Sequence, residues 1–166
     1  LQEPDIFHEV FGHCPLLMNP IYADFMQKYG EMGQEVDKAD RAMLARLYWF
    51  TVEFGLMRSK GEDLTIYGAG IVSSVGESQY ALGGKPELKQ ADLVNIFRTL
   101  YRIDIYQPIY FVIESFEQLF GLVDRKEEVF AAIKEAKRLG PFEPTFDVSD
   151  LPENDLRRKM VAKKAS

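Results

Sequence analysis

The sequence predicts a mainly α-helical domain with a minor β component. A length of 166 residues, with 46% hydrophobic and 13% aromatic residues, supports one domain with one core and excludes a disordered or collagen-like chain. Apolar residues recur at steps of three and four through part of the chain, which is the spacing of a helix face, and β-branched stretches are short. We expect the domain to span residues 1–150 and a basic, mobile tail to follow at 151–166.

Two helices are predicted in the first third of the chain. Asn19 suits an N-cap and Pro20 suits the first helical position, so a helix should run from there to about Gly30. A longer helix should open at Asp37 or Asp40. Its apolar stripe consists of Met43, Leu47, Phe50, Phe54 and Met57. The helix should stop near Lys60-Gly61.

The rest of the chain mixes short strands with helices. Leu64 to Ser74 is β-branched and Gly-rich, which suggests a short strand or an irregular extended segment. Pro86 to about Arg102 predicts a helix. Ile103 to Ile113 contains Pro108, so a broken or edge strand is expected rather than a central one. Two more helices are expected at Ser115–Leu122 and at Lys126–Leu139, the second capped by Gly140.

The charge balance and the cysteine content limit the function classes. Lys and Arg number 20 against 26 Asp and Glu, and the net charge of -6 argues against a nucleic acid or an anionic membrane as partner. No apolar run approaches the roughly 20 residues that span a bilayer. Cys14 is the single cysteine, so no intramolecular disulfide can form, and we expect a cytoplasmic protein. Because the chain opens with Leu1-Gln2-Glu3-Pro4, we expect it to be the interior of a longer protein.

The informative chemistry lies at the two histidines, His8 and His13. They are five residues apart, and imidazole is a common ligand of Fe, Zn and Cu. The zinc-protease motif HExxH needs a step of four, so this pair fails that pattern although Glu9 follows the first histidine. On a regular α-helix a step of five rotates the second side chain by about 140°. Both histidines can reach one ion if the helix ends or loosens at Gly12, with Pro15 preventing its continuation.

Other interpretations of this stretch stay open. A histidine pair at a helix end also fits a cap or a core contact. Glu9 alone fits a solvated helix carboxylate, and Asp5 alone fits an N-cap. Cys14 fits either a soft metal ligand or a small buried apolar group.

A third metal ligand has to be a residue other than histidine, since the chain has two. Two histidines and one carboxylate with open positions are typical of oxygen-activating non-haem Fe(II). Glu53 is the candidate because it is the one acid in the aromatic run at 48–56, and Trp49 four residues earlier would help to exclude water. The alternative for Glu53 is a buried ion pair with Arg46.

Four longer blocks carry a resemblance to a known family. In chain order they are EPDIFHEVFGHCPLL at 3–17, LYWFTVEFGL at 47–56, YGAGIVSSVGESQY at 67–80 and YRIDIYQPIYFVIESF at 101–116. With these blocks the chain resembles the pterin-dependent aromatic amino acid hydroxylases, most closely the bacterial phenylalanine 4-monooxygenases. The resemblance implies the catalytic-domain fold of that family, truncated at its N-terminus because the family's segment before the first block has no counterpart here.

The resemblance also implies the residues of the site. The implied ligands of a mononuclear iron are His8, His13 and Glu53. The implied catalytic residues are Glu9, which faces the pterin cofactor, Tyr48, which lies close to the iron, and Glu77, which orients a ligand histidine through its other ring nitrogen. The positions implied to surround the amino acid substrate are Pro4, Trp49, Gly70 and Ser73.

The implied reaction is the hydroxylation of L-phenylalanine to L-tyrosine, a step of phenylalanine catabolism, with Fe(II), O2 and a tetrahydropterin. These small molecules are the expected partners. We expect a monomer because no long heptad helix follows Gly140. Two alternatives remain at this point, an inactive or metal-binding-only fragment of such an enzyme and a zinc hydrolase with Glu9 as general base.

Overall fold

The computed structural model describes residues 6–58, 61, 63–149, 151 and 155. Seven α-helices are found in this part of the chain: α1 Pro20–Glu35, α2 Arg41–Tyr48, α3 Ala69–Val72, α4 Val75–Leu82, α5 Leu93–Arg98, α6 Phe116–Gly121 and α7 Lys126–Leu139. Two π-helical segments, π1 His8–His13 and π2 Trp49–Glu53, and a 3-10 turn at Leu16–Met18 accompany them. The four strands are β1 Leu56–Met57, β2 Thr65–Ile66, β3 Glu87–Gln90 and β4 Ile109–Ile113. The predicted mainly helical fold with a minor sheet is confirmed.

The four strands form one small mixed sheet in the order β2-β1-β4-β3. β1 pairs with β2 antiparallel and with β4 parallel, and β3 pairs with β4 parallel. All five residues of β4 are buried, as expected of a strand covered on both faces. The prediction of a broken or edge strand at 103–113 was therefore wrong. Pro108 precedes the first residue of β4 and contributes only its carbonyl, which accepts from Glu87 N at 2.9 Å, so its missing N–H does not interrupt the pairing.

Helix α1 begins at the predicted residue and extends beyond its predicted end. Asn19 Oδ1 accepts from Ile21 N at 3.0 Å and from Tyr22 N at 3.2 Å, which satisfies two backbone donors of the first turn. The helix continues past Gly30 to Glu35 because a helical glycine costs only about 1 kcal/mol relative to alanine. Burial of Met32 on the core side favours this last turn.

The second predicted helix is shorter than expected and changes character. Regular α-helix stops at Tyr48, the π2 segment follows, and the chain turns at Phe54. Met57, assigned to the helical stripe, lies instead in β1 opposite Ile113 of β4. A run of apolar residues fits a helix face and a buried strand equally well, so the periodicity did not mark the change.

Three further elements differ from the sequence predictions. Residues 87–90 form a strand where a helix was predicted, and α5 begins only after Asp92, whose Oδ1 accepts from Asn95 N at 2.9 Å. The segment at 64–74 contains the short strand β2 but also helix α3. Helix α4 was not predicted, and its N-cap is Ser74, whose Oγ accepts from Glu77 N at 3.3 Å. Helices α6 and α7 lie where they were predicted, and Gly140 ends α7 with a φ of 72°.

The core is divided by the sheet. Ile109, Phe111 and Ile113 of β4 face the larger cluster with α1, α2, α5 and α7, while Tyr110 and Val112 face a smaller cluster with α3 and α4. Of the predicted tail at 151–166, only Leu151, which is buried, and Asp155 are among the described residues, and the rest lies outside them. Within the described part of the chain, no helix is both long enough and apolar enough to cross a membrane.

Candidate metal centre

The segment π1 solves the spacing problem of the two histidines. In a π-helix the hydrogen bonds join residues five apart, so that such residues lie on one face. The bond from Cys14 N to Glu9 O, 3.2 Å long, is one of this kind. As a result His8 Nε2 and His13 Nε2 lie 3.0 Å apart. The helix loosens along its whole length from His8 to His13, not only at Gly12 as the sequence suggested.

The segment π2 places the carboxylate of Glu53 beside His8 and His13. Phe54 N donates to Trp49 O at 2.9 Å, which closes a second five-residue turn with Glu53 at its end. Glu53 Oε1 lies 3.3 Å from His13 Nε2, and Glu53 Oε2 lies 3.5 Å from His8 Nε2. One ligand atom from each of the three side chains falls within 4.8 Å of the other two. The three residues named from the sequence are therefore brought together.

Two glycines allow the helical segments to meet. A β-carbon on Gly12 would lie 2.9 Å from the β-carbon of Ala69, so π1 packs on α3 at a distance that only glycine permits. A β-carbon on Gly70 would lie 2.9 Å from the Phe54 ring and 3.1 Å from the Glu53 carbonyl oxygen. Helix α3 thus holds π1 and π2 together, and Gly70, implied to contact substrate, packs against the turn that carries Glu53.

Ser73 fixes the tautomer of His8. Its Oγ donates to Ala69 O at 2.8 Å and lies 2.8 Å from His8 Nδ1. Because the single hydroxyl hydrogen is already used, Oγ accepts from Nδ1–H, and the Nε2 lone pair of His8 points toward the other two residues. Ser73 was implied to lie beside the substrate, and in the structure its hydroxyl contacts a histidine of the cluster.

Glu77 forms its hydrogen bonds with residues other than the two histidines. Its Oε1 accepts from Gln107 N at 3.2 Å and from the Tyr110 hydroxyl. Burial raises the pKa of Glu77 above its ordinary value, and these two donors oppose the rise. The orienting contact to a histidine that the resemblance implied for Glu77 is made by Ser73 at His8, because α4 directs Glu77 toward the start of β4.

His8, His13 and Glu53 are largely buried, and an uncompensated charge is unfavourable in such an environment. The side chains of His8, His13 and Glu53 are only 13%, 16% and 14% exposed. Burial raises the pKa of Glu53, and His13, His8 and the Tyr48 hydroxyl oppose the rise. Burial and the nearby carboxylates of Glu53 and Glu9 raise the pKa of Tyr48 to about 12, so its phenol stays protonated near neutral pH. A bound cation would compensate the Glu53 carboxylate.

A cavity of about 200 Å³ opens beside the cluster. Besides the three clustered residues it is lined by Glu9, Leu17, Tyr22, Met26 and Tyr48. Glu9 and Tyr48 were named from the resemblance, whereas Leu17, Tyr22 and Met26 were missed. Tyr22 and Met26 are four residues apart on α1, a spacing that could have identified them as one helix face.

Three other residues are accounted for. Trp49 stacks on Tyr101 at 4.6 Å between ring centroids and does not line the cavity. Arg46, the alternative partner of Glu53, donates instead to the carbonyl of Phe97. Cys14 is exposed rather than buried, and it is not part of the cluster among the described residues. Pro4 and Asp5 lie outside the described residues.

Known proteins resemble the chain in sequence and in fold. Residues 1–145 match the family described as biopterin-dependent aromatic amino acid hydroxylase. The chain is 49% identical over 146 residues to the phenylalanine-4-hydroxylase of Pseudomonas aeruginosa. The aligned region covers 88% of this chain and 55% of that protein. The chain spans about half the length of the curated relatives it matches.

Two solved structures are similar in fold. The apo structure of the cold-active phenylalanine hydroxylase from Colwellia psychrerythraea 34H has a TM-score of 0.85 at 44% identity, over 92% of this chain and 59% of that chain. The Chromobacterium violaceum phenylalanine hydroxylase with bound oxidised Fe(III) has a TM-score of 0.79 at 44% identity, over 91% of this chain and 54% of that chain.

Proposed function

The chain belongs to the biopterin-dependent aromatic amino acid hydroxylase family, and from this premise we propose that it carries the metal site of a phenylalanine 4-hydroxylase. The proposed reaction is the conversion of L-phenylalanine to L-tyrosine with Fe(II), O2 and a tetrahydropterin. The observation that carries the proposal is the convergence of His8, His13 and Glu53 on one point. The names of the relatives in Pseudomonas aeruginosa and Colwellia psychrerythraea support phenylalanine as the substrate.

The three residues fit a divalent iron ion. Two neutral imidazoles and one carboxylate form the donor set of oxygen-activating non-haem Fe(II) proteins, which leaves further coordination positions open. Around Fe(II) this set has a net charge of +1. The Ser73 hydroxyl supports the fit, since it holds the hydrogen of His8 on Nδ1 and leaves Nε2 for the ion. The Fe(III)-bound structure of the Chromobacterium violaceum relative supports iron as the metal.

The metal and the tetrahydropterin together supply the electrons and the activated oxygen that ring hydroxylation requires. The chain's own residues are proposed to bind the ion and to orient the cofactor. His8, His13 and Glu53 hold the ion, and Tyr48 keeps its proton and favours the charged form of Glu53. Glu9, which lines the cavity, is proposed to face the pterin.

The substrate-binding roles of Pro4, Trp49, Gly70 and Ser73 remain proposals from the resemblance. Trp49 and Phe54, whose ring centroids are 4.5 Å apart, form an aromatic pair that flanks the π2 turn carrying Glu53. Gly70 and Ser73 act through Phe54 and His8 respectively, by the contacts described above. The catalytic domain at 1–150, the monomeric state and the cytoplasmic location also remain predictions.

The alternative of a chain that binds metal without catalysing hydroxylation is not favoured, because the relatives matched at high identity are named phenylalanine-4-hydroxylases. The zinc hydrolase is not favoured, because its HExxH motif needs a four-residue step on a regular helix.

Metal analysis combined with an activity assay separates these possibilities. Iron content is measured for the wild-type chain, for Glu53→Ala and for Glu127→Ala, an exposed acid on α7 that serves as control. Wild type and the control should hold iron in equal amounts and Glu53→Ala should hold little. Formation of tyrosine from phenylalanine with tetrahydropterin supports the hydroxylase, whereas iron binding without tyrosine supports the metal-binding-only chain. Unchanged iron content in Glu53→Ala would remove that residue from the ligand set.

A further inference from the structure

Gln107 is a buried amide whose orientation the structure fixes completely. The residue is fully buried, and its Nε2 donates to Arg102 O at 2.8 Å and to Ile105 O at 3.0 Å. Since two carbonyl oxygens require the NH2 end, the Oε1 end has to face the other way. There it accepts from Trp49 Nε1 at 3.2 Å. The side chain of Gln107 is therefore an acceptor placed for the Trp49 indole.

The backbone of Gln107 is held as firmly as its side chain. Gln107 N donates to Glu77 Oε1 at 3.2 Å, and the same oxygen accepts from the Tyr110 hydroxyl. Glu77 lies on α4 and Tyr110 on β4, so two elements anchor the position from which Gln107 reaches Trp49. Pro108 follows directly and restricts the backbone further.

Trp49 connects this anchor to the metal centre. Its indole lies nearly parallel to the Tyr101 ring, at 16°, and beside the Phe54 ring. Stacking of this kind sets the plane of the indole but not its rotation within the plane, whereas a hydrogen bond at Nε1 selects one rotation. The carbonyl of the same residue accepts from Phe54 N and closes the turn that ends at Glu53.

We propose that Gln107 is a positioning residue that fixes the indole of Trp49 and, through Trp49, the π2 turn that presents Glu53 to the metal. Glu77 and Tyr110 act one step further away by holding the backbone of Gln107. The inference rests on the proposed metal site. It assigns the buried acid Glu77 to the support of Trp49 rather than to a histidine.

Trp49 is the only tryptophan of the chain, so tryptophan fluorescence reports on this one indole. In the metal-free chain, Gln107→Met removes the acceptor at similar volume and should shift the emission of Trp49 and increase its quenching by acrylamide. Gln79→Met, an exposed glutamine on α4, is the matched control and should leave both unchanged. Unchanged emission and quenching in Gln107→Met would overturn the proposal.

Co(II) titration followed by its visible absorption tests the connection to the metal site. Gln107→Met and Trp49→Phe should each weaken Co(II) binding by up to about tenfold, the equivalent of one net hydrogen bond. The double variant should bind Co(II) as tightly as the single variant with the lower affinity, because both changes remove the same hydrogen bond. Additive losses, or wild-type affinity in both single variants, contradict the inference.

Two controls keep the outcome interpretable. If Gln107→Met does not fold, as judged by circular dichroism, Trp49→Phe decides alone, since it keeps an aromatic ring for the stack on Tyr101 and loses the N–H donor together with part of the indole. If Glu53→Ala binds Co(II) as tightly as wild type, the proposed function fails. The fluorescence of Gln107→Met still tests the contact between Gln107 and Trp49 in that case.

Discussion

Gly12 of π1 packs tightly on Ala69 of α3, where an added β-carbon would come within 2.9 Å of the Ala69 side chain. Gly12 lies one residue before His13, so any displacement of the two segments moves a proposed metal ligand. Gly12→Ala should lower the free energy of unfolding by about 1–3 kcal/mol, the range for overpacking, and should weaken metal binding.

Gly33→Ala is the matched control for Gly12→Ala. Gly33 lies in α1 with open space around it, so alanine should raise stability by up to about 1 kcal/mol through helix propensity. Urea unfolding of both variants measures the difference. Equal effects at the two positions would show that the contact between π1 and α3 is not tight.

Ser73→Ala should weaken metal binding without removing a ligand. The change deletes the acceptor for Nδ1–H of His8, and loss of such a partner typically lowers metal affinity by about 10–100-fold. Ser78→Ala is the control, because Ser78 donates to Ile71 O at 2.8 Å and does not contact a histidine. Isothermal titration with Co(II) compares the two, and similar affinities would exclude the orienting role of Ser73.

Stability should depend on pH through Glu77. Because burial raises its folded pKa above the ordinary value of 4.5, the folded protein keeps a proton that the unfolded chain loses between these two values. The free energy of unfolding should therefore fall as pH rises through this window and recover on acidification. Urea unfolding of wild type and Glu77→Gln at several pH values isolates the effect. The stability of wild type relative to Glu77→Gln should increase as pH falls, and a constant difference contradicts the assignment.

A buried tyrosine, Tyr67, and a half-buried one, Tyr29, should respond oppositely to loss of the hydroxyl group. The Tyr67 hydroxyl is buried with no hydrogen-bond partner in the part of the chain that the structure describes, and burial raises its pKa. Tyr67→Phe should raise the free energy of unfolding by about 1 kcal/mol. The Tyr29 hydroxyl donates to Leu44 O at 3.0 Å, so Tyr29→Phe should lower it by a similar amount. Thermal unfolding of both variants gives the signs, and destabilisation by Tyr67→Phe would indicate an unseen partner.

Residue chemistry alone pointed to much of the site. Two histidines close in sequence and a single acid in an aromatic run were enough to select His8, His13 and Glu53. The π-helical turns could not be predicted, because their apolar residues fit the 3.6-residue period of an α-helix and their formation depends on packing against α3. The contact of Ser73 with His8 could not be predicted either, since nothing in the sequence shows that a serine 65 residues away reaches this histidine.

The fold was predictable where local signals are strong. Asn19-Pro20 marked the start of α1, and a polar-apolar pattern with Gly140 marked α7. The strands were harder to predict, because Glu87–Gln90 has no alternating apolar pattern and gains its structure by pairing with β4. Pro108 suggested an edge strand, but its position before the first paired residue leaves β4 intact at the centre of the sheet.

The most direct test of the metal site is an anomalous-scattering map of crystals of this chain grown with Fe(II) or Co(II). The account predicts one strong peak at bonding distance from His8 Nε2, His13 Nε2 and a carboxylate oxygen of Glu53. A peak coordinated by other residues would contradict the account. So would an Fe(II) or Co(II) ion at this site that is not coordinated by Glu53.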